Sequence, residues 1–202
     1  MDNNMPDQSR HDATDLFIRY EYNAYRQRSQ RVRERLMDDL GELGEHTPEI
    51  INLLNPSFCA LILYSGILEY QEKAKSGISF PLIYLMLPII LHKSTRTRIS
   101  SRTNMVIWLQ RNPDAMIGFP ERARSLASFA SEAIEFLLCQ QILSIEGECL
   151  IIKKPILKSK MDRYVATESE IADCVNKAAH LGRWFYSMRS DESIYAVWGV
   201  SP

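Results

Sequence analysis

Apolar positions follow a helical period through most of the chain and change to a period near two around Ile142 to Ile152. After Pro120, the residues Ala123, Leu126, Ala127, Ala130, Ile134, Leu137 and Leu138 recur at steps of three and four. They predict an amphipathic helix reaching about Gln141. Phe58, Leu61, Ile62 and Leu68 mark a second helix, Pro56 to Lys75, closed by Ser76-Gly77. Its start is Asn55-Pro56, because Asn caps free amides and Pro at the first helical position lacks one. ISFPLIYLMLPIILH is apolar on every side and predicts a buried helix from Pro81 to His92, bent at Pro88. It is too short for a bilayer span, which takes about 20 apolar residues. A polar helix runs from Ser100 or Ser101 to Gln110, with Met105, Val106 and Leu109 inward, and Asn112-Pro113-Asp114 breaks it.

The period change falls on ILSI-EGE-CLII, a two-stranded hairpin with Gly147 in its turn. Lys153, Lys154, Lys158 and Lys160 trail from it. Thr167 and Glu170 are spaced as a capping box for a further helix with the stripe Ile171, Cys174, Val175, Ala178, Leu181 and Phe185. Ser193 to Val200 has β-formers on both faces and predicts a last strand. The fold class is therefore mainly α with small β. It comprises a helical body, a winged-helix-like module and a short antiparallel hairpin.

Two domains are expected. Residues 51–202 form the helical, winged-helix-like body. Residues 1–50 comprise a disordered start, an amphipathic helix from Asp12 to about Leu40, and the linker GELGEHTPE. The stripe of that helix is Ile18, Tyr22, Tyr25, Val32 and Leu36, among Arg19, Arg26, Arg28, Arg31, Arg33 and Arg35. The opening residues lack a signal-peptide h-region, so a cytoplasmic protein is expected.

Composition changes this picture little. The chain of 202 residues is 46% hydrophobic and 24% charged, with net charge -1. Any cationic surface is therefore local. It lies between Leu91 and Arg124, where Lys93, Arg96, Arg98, Arg102, Arg111, Arg122 and Arg124 face only Asp114 and Glu121. Lys93, Arg96, Arg98 and Arg102 are placed in a loop and the next helix's first turn, where they can reach successive phosphates. The competing reading is a solvated loop paired with the acidic stretch Asp38, Asp39, Glu42, Glu45 and Glu49. As a base-reading helix, PERARSL offers one acid and two arginines, which argues against sequence-specific DNA recognition.

Catalytic chemistry has little to stand on. Cys59, Cys139, Cys149 and Cys174 form no C-x-x-C pair and read as reduced buried thiols. His11, His46, His92 and His180 make no metal-binding spacing, so neither metal nor cofactor is expected. A Cys139/His180 nucleophile pair lacks an oxyanion site. Trp184, Phe185, Tyr186, Tyr195 and Trp198 supply either a closing layer of core or an interface. Core suits Phe185 and Trp198, whereas Trp184 beside Arg183 suits an exposed anchor. Gly182 suits close helix packing.

Four separated blocks, NPSFCALILYSGILEYQ, FPLIYLMLPIILHKSTR, WLQRNPDAMIGFPERARSL and LGRWF…IYAVWGVSP, together resemble the middle-component family of three-component ABC-ATPase systems, which include Lamassu-type bacterial defence. The resemblance runs from about Asn52 to Pro202. It implies a non-enzymatic bridge between a Rad50- or SMC-like ABC ATPase and an effector, typically a nuclease. The complex would act on double-stranded DNA without sequence specificity and without a membrane. The matching blocks make His92, Lys93, Arg96, Trp108, Arg111, Glu121, Arg122, Arg124, Arg183 and Trp184 partner-contact candidates. Lys93, Arg96, Arg98 and Arg102 are the nucleic-acid candidates. The alternatives are a stand-alone winged-helix DNA-binding regulator and an enzyme with a dispersed site.

Overall fold

In the computed structural model the chain divides into two units, Met1–Ile51 and Asn52–Pro202. The structure describes residues 55–100, 102–156, 169–188 and 190–200, all in the second unit. The expected N-terminal helix and acidic linker lie outside the described residues, as do Lys158, Lys160 and Thr167.

Helix α1, Pro56–Ala74, is the axis of this unit. Asn55 accepts the Ser57 amide, and Lys75 closes the helix in the left-handed region at φ 57°. Phe58, Cys59, Ala60, Ile62, Leu63, Tyr64 and Ile67 are all buried, so the helix is enclosed on several sides. Burying such aliphatic and aromatic side chains contributes about 1.5–3 kcal/mol each, which makes α1 the nucleus of the core. Gly77 serves β-sheet contact rather than the cap, since a Cβ there would lie 2.6 Å from the Ile151 side chain.

The expected helix from Pro81 to His92 is instead two short helices, with a two-residue strand just before them. These are β1 (Ile78–Ser79), α2 (Phe80–Ile83) and α3 (Met86–Ile90). The interruption at Tyr84-Leu85 sits one turn before Pro88. Pro88 has no N–H for the Tyr84 carbonyl, and its ring crowds that oxygen. Next come α4 (Lys93–Arg98), α5 (Met105–Arg111) capped by Asn104, and a 3-10 turn over Pro113–Met116. Helix α6 spans Phe119–Cys139, with Phe129, Ala130, Ala133, Ile134 and Leu137 buried.

Strands β2 (Leu143–Glu146) and β3 (Cys149–Ile152) form the expected hairpin, with Glu146 opposite Cys149. Gly147, at φ 61°, takes the first position of the two-residue turn, where a II′ hairpin favours glycine. β1 adds antiparallel to β3, so the sheet order is β1-β3-β2. Past the end of β1, the Gln71 side-chain amide continues the ladder. It accepts the Ile152 N–H at 2.8 Å and donates to the Ile152 carbonyl at 3.2 Å.

Helix α7, Ser169–Met188, packs along α1. At their crossing a Cβ on Gly182 would lie 2.1 Å from the Gly66 carbonyl oxygen, so only glycine fits. The buried Ser65 hydroxyl donates to the Val175 carbonyl at 2.9 Å beside this crossing. The last element corrects the expected strand, because Asp191–Trp198 is helix α8. Ser190 caps it, Asp191 and Glu192 occupy its acidic first turn, and Gly199 ends it at φ 67°. Ile194, Tyr195 and Trp198 form one buried helical face. The result is a mainly helical fold with a small antiparallel sheet. No helix among the described residues is long and apolar enough to cross a membrane.

Candidate interaction surface

The cationic stretch from His92 to Arg124 is distributed over α4, α5, the 3-10 turn and the start of α6, and its charges meet different fates. Arg96 is on a helix rather than in a loop, and it is only 3% exposed. Its guanidinium donates to Glu170 at 2.6 Å, to Asp173 at 2.9 Å and to the Ile90 carbonyl at 3.0 Å. All these partners lie on α3 and α7, so Arg96 joins α4 to the body. Arg98 forks onto Asp114 at 2.7 and 2.9 Å and also reaches Asn112. The carboxyl of Asp114 is held below its ordinary range by that guanidinium. The arginines therefore find Glu170, Asp173 and Asp114 as counterions, and the acidic stretch from Asp38 to Glu49 lies outside the described residues.

Arg122 braces the turn before α6. It donates to the carbonyls of Ile117 at 2.6 Å and Ala115 at 2.8 Å, and its guanidinium lies 5.7 Å from the Phe119 ring centre. Arg124 and Glu121 pair with each other at 3.2 Å in the exposed first turns of α6. His92 precedes α4, with its Nδ1 2.7 Å from the Thr95 hydroxyl. Burial, then Arg122 and Arg98, lower its pKa.

The tryptophans correct the expectation of an exposed anchor. Trp184 is 3% exposed and donates its indole N–H to the Thr103 carbonyl at 2.9 Å. Trp108 is equally buried and donates to the Arg98 carbonyl at 2.7 Å. Trp108 lies 5.5 Å from Trp184 and 6.5 Å from Trp198, whose ring lies 4.6 Å from Phe119. These residues form one aromatic core joining α5, α6, α7 and α8. Arg183 is half-exposed, pairs with Glu69 of α1 at 2.7 Å, and lies 3.2 Å from Nδ1 of His180.

With those side chains engaged, Lys93, Arg102 and Arg111 remain exposed and have no carboxylate partner among the described residues. Apolar side chains stand exposed in the same stretch. Ile107 shares a face of α5 with Arg111, four residues on, and Met116 and the 74% exposed Ile117 follow directly. Helical periodicity did not single out these isoleucines and Met116. For Met116 and Ile117 the signal was available in the sequence, where they sit between Pro113 and Pro120, outside any helix stripe.

Catalytic candidates gain nothing. Cys174 is buried and its thiol is pushed up to about 11 by desolvation, so it is protonated at neutral pH and a poor nucleophile. Cys59 is buried, Cys149 half-buried and Cys139 exposed, which corrects the expectation that all four are buried. No group of three or more His, Cys, Asp or Glu residues among the described ones could hold a metal ion.

Comparison with curated proteins and with solved structures returned no match. A family model described as ABC-three component (ABC-3C) system Middle Component 3 matches residues 43–202, beginning before the first of the four sequence blocks and covering every described element. The chain thus belongs to the Middle Component 3 family of ABC-three-component systems.

Proposed function

We propose that this protein is a non-enzymatic assembly and regulatory subunit of a cytoplasmic bacterial defence complex. It bridges a Rad50- or SMC-like ATPase to an effector, a nuclease, and restrains or licenses that effector on foreign DNA. The observation that carries this reading is the family membership, combined with exposed cations that have no carboxylate partner among the described residues and exposed apolar side chains in the same stretch of chain. Lys93, Arg102 and Arg111, with Ile107, Met116 and Ile117, offer that combination. Cationic and aliphatic groups together suit a protein partner bearing acidic and apolar groups. Lys93 and Arg102 are the proposed nonspecific phosphate contacts within the assembled complex. Arg96 and Arg98 act through the fold that presents them.

The topology lends support to a winged-helix-like reading. A short strand follows the first helix, a long helix precedes the hairpin, and β1 closes on β3. That organisation also serves the alternative, a stand-alone DNA-binding regulator. The two are separated by mass measurement after co-expression with its neighbouring genes. A three-component complex is expected. A homodimer that binds a palindromic duplex without either partner would overturn the bridge.

A further inference from the structure

Two clefts of about 600 Å³ and about 730 Å³ adjoin on the face made by α2, the start of α6, the hairpin turn and α8. Phe80, Pro81, Tyr195 and Val200 border both, so they form a single groove. Ala123 and Ala127 line its first half. They belong to the apolar stripe of α6, whose later turns are buried while these two remain only half-buried. The stripe thus continues past the part covered by the body, and nothing among the described residues completes it.

The charge along the groove is polarised. Glu148 at the hairpin turn and Asp191 and Glu192 in the first turn of α8 line its second half. No lysine or arginine lines that half. The one arginine lining the first half, Arg124, is paired with Glu121. Hydrogen bonds from the Ser190 hydroxyl and the backbone hold the Glu192 carboxyl below its ordinary range. An apolar floor with carboxylates at one end selects an apolar segment carrying positive charge at the matching end. It also disfavours acidic segments and nucleic acid.

We infer that this groove docks a short apolar segment of a partner subunit, flanked at one end by lysine or arginine. The inference rests on the bridge reading for the source of that segment. The groove and the Lys93–Ile117 surface differ in charge sign, so they suit two partners of opposite character, as a bridge requires.

The test uses the full chain co-expressed with the ATPase and effector, with the photo-crosslinking residue p-benzoylphenylalanine in place of Ala196. Ala196 is exposed and lines the groove. Irradiation is expected to give an adduct with one partner subunit, mapped by mass spectrometry to an apolar stretch with adjacent lysines or arginines. Glu148→Lys combined with Glu192→Gln should lower adduct yield about tenfold by removing the charge match. Ala127→Trp should abolish the adduct by filling the floor, and the charge variants decide the matter if that protein does not fold. An adduct to an acidic segment, or to a second copy of this chain, overturns the groove assignment. So does an intact three-component complex that gives no adduct, and in that case the bridge reading stands. Failure of the unsubstituted chain to form any complex overturns both.

Discussion

Helices α4 and α5 are neighbours in sequence, and both carry positive charge, yet they use it in opposite ways. On α4 the arginines turn inward or sideways, to Glu170, Asp173 and Asp114 on other elements. On α5 the aromatic residue turns inward, and Arg111 faces out beside Ile107. The difference shows that a run of cations is not a measure of electrostatic surface. What matters is whether the fold brings carboxylates to it, and here α7 supplies them to α4 but not to α5. The residues that carry the resemblance most visibly, Trp108, Arg122 and Trp184, are spent on core and bracing. The proposed contact chemistry falls to the less conspicuous residues between them.

Substitutions on the inward side of this comparison should act on stability. Trp184→Ala removes the indole that joins α5 to α7, and should cost about 3–5 kcal/mol. Thermal unfolding should show a fall of about 10 °C or more. A fall of only one or two degrees would return Trp184 to the surface. Arg96→Ala leaves Glu170 and Asp173 without their shared partner. Those carboxylates are partly solvated, at 43% and 37% exposure, so the cost is about 2 kcal/mol rather than the full value for a buried pair. Urea denaturation would register it as a lower midpoint at unchanged slope.

A smaller effect should follow pH. Burial, then Arg183, hold the His180 imidazole below its ordinary value of 6.5, despite weaker opposing influences from the Ser100 backbone and Glu69. The unfolded chain therefore takes up that proton first as pH falls. The stability linked to neutral His180 is complete above 6.5 and is lost progressively below it, at up to about 1.4 kcal/mol per pH unit. His180→Leu should flatten the stability profile between pH 7 and 5. His92, lowered for the same leading reason, leaves a residual slope. An unchanged profile would show that His180 does not contribute.

Smallest of all in stability is Arg111→Glu with Ile117→Ser, which should change the isolated subunit by less than about 0.5 kcal/mol. Its expected effect is on partner retention in pull-downs. Full retention would remove Arg111 and Ile117 from the docking surface.

Legibility in the sequence followed how local each determinant is. The Asn55 cap, the α6 stripe and the Gly147 turn are short-range signals, and each was readable. Gly182 as a close-packing residue was readable too, although its partner Gly66 was not. β1 escaped notice because two residues carry no period, and β3 makes them a strand. α8 was misread because Ile194, Tyr195 and Trp198 look strand-like by residue type. The Ser190 cap, the acidic first turn and Gly199 were the stronger signals. The fate of Arg96 depended on Glu170 and Asp173, more than seventy positions away, which no local pattern joins to it.

All three tryptophans of the chain belong to the aromatic core, and none lies on a proposed contact surface. Each indole N–H already has a partner, two carbonyls and the Met105 sulfur. Tryptophan emission therefore watches the interior alone. A partner that settles on the outside should leave the spectrum in place. One that pries α5 or α8 from α7 should shift it to the red. The subunit thus carries its own optical means of telling passive attachment from remodelling.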